Sequence, residues 1–230
     1  MVHVVLVSTS SHTFGAADHP TGVWLEELAC PYYLFKEAGF TVTVASPAGG
    51  PCPVDAGSMA DGFFTEHCKK FMHDPEAVGA LSHSVPIADV DMPTVDALYI
   101  AGGHGCCNSQ FYNSGPLITA IELLIERGKV VAADCHGPTV LTSCMYNNSP
   151  IVHGVEVTAF SNSEEAAVGL TDKVPFLLES RFVENGGKYI SGADWGSHAV
   201  EAKVGAGTLI TGQNPQSSEA AAKLVIAKFQ

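Results

Sequence analysis

Residues 130–141 read VVAADCHGPTVL. Small and β-branched apolar residues run into Asp134, Cys135 and His136 follow, and Gly137-Pro138 turns the chain before it becomes apolar again. A short, nearly unbroken apolar run bounded by turn residues is the pattern of a strand buried on both faces, as in a parallel sheet. A cysteine between the end of such a strand and the start of a helix stands on a sharp turn. That is the geometry of a nucleophile elbow, although G-x-S-x-G itself is absent. A helix opening after Pro138 would aim its positive end at Cys135 and favour the thiolate.

Outward from this segment, strand-like and helix-like stretches alternate. Strands are expected at 3–8, 41–46, 96–103, 129–134, 155–160 and 207–213. Helices are expected at 22–39, 116–128 and 174–187, with a last one from about Pro215. This order predicts an α/β fold of the flavodoxin-like, doubly wound kind: a mostly parallel sheet with helices on both faces, an α/β/α sandwich. No repeat or linker divides the 230 residues, so one domain over 1–230 is expected. Two insertions interrupt the alternation. Residues 47–59 are rich in Gly and Pro, and residues 60–93 hold a helical stretch, DGFFTEHCKKFMHD, and a second short helix ending near His83. Excursions of this kind cover a site or build an interface.

Composition narrows the function classes. With 24 acidic against 11 basic residues the net charge is −13, which disfavours binding to nucleic acid or to anionic membranes. No stretch approaches the roughly 18 apolar residues of a membrane span. The N-terminal apolar run is too short for a secretory signal and lacks a basic start. Seven irregularly spaced cysteines without C-x-x-C fit a reducing, cytoplasmic setting better than a disulfide framework. Zinc-ribbon spacing is absent, so neither a structural metal nor a cofactor is expected.

In open α/β sheets, ligands bind beyond the carboxyl ends of the strands. Three segments carry reactive residue types to that edge: GGHG at 102–105, DCHGP at 134–138, and the first helix with Glu26 and Glu27. Gly102 and Gly103 allow backbone N–H groups to approach a developing oxyanion, and His104 is placed to reach a substrate. Cys106 and Cys107 are adjacent loop thiols, for which a redox role is the weaker reading. Strand alternation points Asp134 away from the side of Cys135; were it close, its charge would raise the thiol pKa.

Taken together, TGVWLEELACPYYLFKEAGFTVTVASPAGG, AGGHG, AADCHGP, HGVEVTAFSNSEEAAVGL and LITGQNPQSS resemble the DJ-one/PfpI superfamily, a class I glutamine-amidotransferase-like fold. The chain is most similar to its branch of glutathione-independent glyoxalases (glyoxalase III), deglycases and stress-response holdase chaperones. The resemblance implies Cys135 as nucleophile and a glutamate of the first helix hydrogen-bonded to it, matched by Glu27. It implies His136 as partner of the cysteine, oriented by an acid after the next strand: Glu165, with Glu164 as the fallback. It further implies conversion of 2-oxoaldehydes such as methylglyoxal to 2-hydroxy acids, possible deglycation, and a homodimer. A holdase chaperone or cysteine redox sensor is the second reading, and a cysteine peptidase or amidase the third. An apolar residue usually precedes the nucleophile in this family, so Asp134 is a departure.

Overall fold

A computed structural model describes residues 1–15 and 18–230. Seven strands make one sheet: β1 (His3–Val7), β2 (Thr41–Ser46), β3 (Val85–Pro86), β4 (Ala97–Ile100), β5 (Val130–Asp134), β6 (Ala199–Val204) and β7 (Gly207–Gly212). Their order is β6-β7-β5-β4-β1-β2-β3. All pairs are parallel except β6 with β7. In register, Val4 faces Ala97 and Leu209 faces Val131, so β1, β4, β5 and β7 end on one carboxyl edge.

Side chains alternate across this sheet, and each face buries its own set. On one face Val5, Val7, Leu98, Ile100, Val131 and Ala133 pack under α4 (Gly115–Glu126) and α6 (Leu178–Glu184). On the other, Val4, Leu6, Tyr99, Ala101, Ala132 and Ile210 pack under α1 (Leu25–Glu37), α2 (Glu66–His73) and α7 (Ser218–Ile226). In α1 the buried positions Leu25, Leu28, Ala29, Tyr32 and Phe35 recur at helical spacing and lay one stripe on the sheet. This is the expected sandwich. The second insertion supplies α2 and α3 (Pro75–Ser82), and Asp74 caps α3 through Glu76 N–H.

Three expectations need correction. Residues 155–160 do not join the main sheet: only Glu156–Val157 pairs, with Lys188–Tyr189, in a separate two-stranded ladder. The reason is that β7 already has β5 on one side and the antiparallel β6 on the other. The stretch instead hangs on single bonds, Thr158 N–H to Thr211 Oγ1 at 2.9 Å and Phe160 N–H to the Cys135 carbonyl at 3.1 Å. After the elbow, Gly137–Ser143 forms a 3-10 helix rather than an α-helix. The helix expected over 174–187 shortens to Leu178–Glu184. Among the described residues no helix is long and apolar enough to cross a membrane.

Candidate active site

At the carboxyl edge the chain leaves β5 and reverses at Cys135, whose φ is +55°. A non-glycine residue held in the left-handed region is strained, and such strain persists only where neighbours fix the backbone. Here the Cys135 N–H donates to the Gly212 carbonyl at 3.0 Å, and its own carbonyl accepts from Phe160 N–H. The side chain is thereby turned out of the strand into a small cavity.

His136 follows, buried, with Nδ1 3.4 Å from the Cys135 sulfur. Its Nε2 lies 2.7 Å from Glu165 Oε2, and His104 Nε2 lies 2.9 Å from Glu165 Oε1. One carboxylate thus accepts from two imidazoles, whose rings lie 3.9 Å apart between centroids. A carboxylate can only accept, so both Nε2 atoms carry hydrogen and Nδ1 of a neutral His136 is left as an acceptor toward the thiol. Burial works against the charge of Glu165, but the His136 charge and the hydrogen bonds from both histidines prevail and hold its carboxyl well below the usual range. Burial, then the His136 charge, lowers the pKa of His104.

The neighbouring acid does different work. Glu164 accepts from Ser161 N–H at 3.0 Å in the capping box that opens α5 (Asn162–Ala167). Its other oxygen accepts from Trp195 N–H at 2.9 Å and Asn214 Nδ2 at 2.8 Å. It ties the cavity wall together, and Glu165 is the acid the structure brings to His136.

Glu27, in the first turn of α1, is fully buried facing Cys135 and the Gly102 N–H. Among the described residues, neither of its oxygens completes a well-formed hydrogen bond. Burial, with the Asp134 charge added, pushes its carboxyl well above the usual range. Glu26, one residue earlier, points elsewhere, to Thr65 and Cys68 of the second insertion.

Asp134 does turn away from the cavity. Its Oδ2 accepts from Tyr99 at 2.8 Å and Ser218 at 2.6 Å, the partners its burial demands. Burial still raises its pKa to about 7, and its charge reaches both Glu27 and Cys135. Burial and then the Glu27 and Asp134 charges push the thiol upward, against the pull of the Gly103 N–H. The pull expected of a helix end on the thiolate is thus opposed by burial and by the neighbouring acids, and His136 stands beside the sulfur as a base. Gly103, at φ +93°, lines the cavity, and any side chain there would strike Trp24 N and the Gly22 carbonyl. Gly102 lies behind it, where a Cβ would run into Glu27 and, at 2.6 Å, the Asp134 carbonyl. Cys106 and Cys107 are buried, with thiols pushed well up by burial, and neither faces the cavity.

The cavity has a volume of about 90 Å³, with Trp24, Phe63, Phe160 and Trp195 as its apolar walls around Cys135 and His104. These four aromatics were not singled out from sequence. Scattered along the chain from Trp24 to Trp195, they share no spacing, and only the folded chain brings them together.

The DJ-1/PfpI family matches residues 20–228. The chain belongs to the DJ-1/PfpI family. Within it, the chain is 29% identical over 238 residues to a protein of Schizosaccharomyces pombe named glutathione-independent glyoxalase hsp3101, covering 99% of this chain and 96% of that one. Among solved structures, glyoxalase III of Candida albicans superposes with a TM-score of 0.89 at 27% identity, over 100% of this chain and 98% of that one. The Francisella tularensis Rapid Encystment Protein of 24 kDa superposes at 0.92 with 36% identity, over 99% and 98%.

Proposed function

We propose that the protein is a glutathione-independent glyoxalase that converts small 2-oxoaldehydes such as methylglyoxal to 2-hydroxy acids, with Cys135, His136, Glu27 and Glu165 as its machinery. The observation that carries this reading is Glu27: a fully buried carboxyl set against the nucleophile, its ionisation opposed by burial and neither of its oxygens held in a well-formed hydrogen bond. Such a group is suited to passing a proton between adjacent carbons.

The steps balance as follows. The Cys135 sulfur attacks the aldehyde carbon C1; its proton goes to His136 Nδ1, and Glu27 gives its proton to the new C1 oxygen, forming a hemithioacetal. Glu27, now a carboxylate, takes the proton from C1 and leaves an enediolate. Gly103 N–H and the charged His136 face the negative oxygen. Glu27 returns its proton to C2, His136 protonates the C2 oxygen, and the C1 hydroxyl proton goes back to Glu27. The product is a thioester of the 2-hydroxy acid. Water hydrolyses it, releasing the acid and restoring the thiol. Glu165 keeps His136 in the tautomer that can accept. Deglycation of an early glycated amine would use the same atoms.

The test is loss of methylglyoxal with formation of lactate by purified protein without glutathione. Cys135→Ala should abolish it while leaving the melting temperature nearly unchanged. Retention of more than roughly a tenth of the activity would remove Cys135 as obligatory nucleophile, since loss of a nucleophile ordinarily costs far more.

The reading also takes the chain as one domain over 1–230, acting in the cytoplasm, where its seven free cysteines stay reduced, and assembling as a homodimer. A chaperone activity draws on Met59, Phe63 and Met72, large apolar side chains exposed by 42%, 46% and 37% in and beside the second insertion. If Cys135→Ala still suppresses aggregation of a denatured client, that activity does not need the nucleophile.

A further inference from the structure

Where α1 and α2 meet, Glu26, Cys30 and His67 each present one potential ligand atom, and these atoms all lie within 4.8 Å of one another. Glu26 and Cys30 are one helical turn apart, so they share a face of α1, and His67 comes to them from α2. His67 Nδ1 stands 3.6 Å from Glu26 Oε1, beyond hydrogen-bond range. That spacing is close to the edge of a tetrahedron around zinc, roughly 3.4 Å for bonds of 2.0–2.1 Å to nitrogen and oxygen.

The carboxylate is already oriented for the task. Its other oxygen, Oε2, accepts from the Thr65 hydroxyl and lies 3.6 Å from the Cys68 thiol. Partners of that kind fix a ligating carboxylate so that its free oxygen faces the ion. Local charge favours a cation as well. The charges of Glu26 and Glu219 both act on Cys30, opposed by Lys223, which is paired with Glu219. Burial first, then those two charges, push the Cys30 thiol upward; a metal ion reverses that balance by bonding the thiolate directly. Access exists too: Glu26 lines a surface groove of about 310 Å³, together with Thr65 and Gln216.

We propose that Glu26, Cys30 and His67 form a binding site for a divalent zinc-type metal ion that clamps α1 to α2, with water completing the tetrahedron. Soft thiolate and imidazole with one carboxylate select zinc over calcium or magnesium, which take oxygen alone. Binding replaces the Cys30 S–H bond by an S–metal bond and releases that proton to solvent, so affinity rises with pH.

The test uses the full chain stripped with a chelator and titrated with cobalt(II), then zinc(II). The expected result is a thiolate-to-cobalt charge-transfer band saturating at one ion per chain, abolished by zinc, with a higher melting temperature in the loaded protein. Cys30→Ser should remove the band. His67→Ala, at a half-exposed position that folding tolerates, should weaken zinc binding by at least about tenfold. Cys135→Ser should keep both properties. The proposal is overturned if cobalt gives no saturating band. It is equally overturned if the band survives Cys30→Ser and vanishes in Cys135→Ser, which would put the ion on the catalytic cysteine beside His104, His136 and Glu165. Unaltered zinc affinity in folded His67→Ala would also overturn it.

Discussion

Asp134 stands one residue before the nucleophile with a carboxyl raised to about 7 by burial, and its charge adds to the burial and the Glu27 charge that push the Cys135 thiol upward. Its effect on stability has a definite sign. An acid whose pKa is 3.8 when exposed and about 7 when folded binds more protons in the folded state between those values. Its contribution to stability is therefore full below about pH 4 and declines as pH rises toward 7. Asp134→Asn can still accept from Tyr99 and Ser218 but cannot ionise. The difference in unfolding free energy between wild type and variant should shift in the variant's favour across that window. The same variant should move the pH midpoint of Cys135 alkylation downward, because one of the charges opposing the thiolate is gone; an upward or unchanged midpoint would mean that the charge does not reach the sulfur. Glu27→Gln tests the other carboxyl. It retains the shape but has no proton to pass, so turnover should fall by roughly 10²–10⁴-fold while alkylation of Cys135 persists. If turnover survives, proton transfer runs through another group.

At the scale of elements, the close approach of the 102–105 turn to the residues before α1 is what fits Gly103 N–H against the sulfur. Gly39 offers a calibrated comparison: it has φ +80° and open space where a Cβ would go, whereas Gly103 has both the positive φ and backbone atoms in the way. Gly39→Ala should cost about 1–2 kcal/mol for the left-handed conformation alone. Gly103→Ala should cost more in chemical denaturation and lose turnover as well, since Trp24 must move. Equal costs would show that the turn is not tightly packed. The same scale shows where sequence is informative. The cores of β1, β5 and β7 were legible because strands covered on both faces are largely apolar, and β2, TVTVAS, by its run of β-branched residues. β6, AVEAKV, was missed: Glu201 and Lys203 alternate with Val200, Ala202 and Val204 as on an edge strand, but only Val204 is buried and the run lacks the unbroken apolar character of the inner strands. Residues 155–160 were misread because their apolar side chains are buried against the elbow without a free strand edge to pair with. Cys135, His136 and Gly103 could be found from one segment each, and Glu27 and Glu165 from the family pattern. The aromatic walls of the cavity depend on contacts between distant segments that no local pattern records.

For the whole molecule, three of the exposed large apolar side chains gather at the mouth of the cavity. Phe63, Val168 and Trp195 are 46%, 42% and 41% exposed, and all three line the cavity. Trp195 meets Phe160 with rings 5.8 Å apart, and Phe63 meets Trp24 at 5.3 Å, so this rim continues the cavity wall outward. A second copy of the chain would cover such a rim and keep water from the enediolate, which is the argument for a homodimer. Each copy carries a net charge of −13, and two like charges of that size oppose association. The two contributions respond oppositely to salt. Raising ionic strength to about 0.1 M shortens the screening length to about 10 Å and weakens the repulsion, while apolar burial is left intact. Dimerisation should therefore tighten as salt is added, and sedimentation equilibrium at micromolar protein should show the dimer fraction rising between low salt and 0.1–0.2 M. Phe63→Asp should shift that equilibrium toward monomer by adding charge at the apolar rim. A chain that sediments as monomer at every salt concentration would refute the dimer. A dimer that loosens with salt would instead be held by ion pairs, and its contact would have to lie away from the cavity mouth.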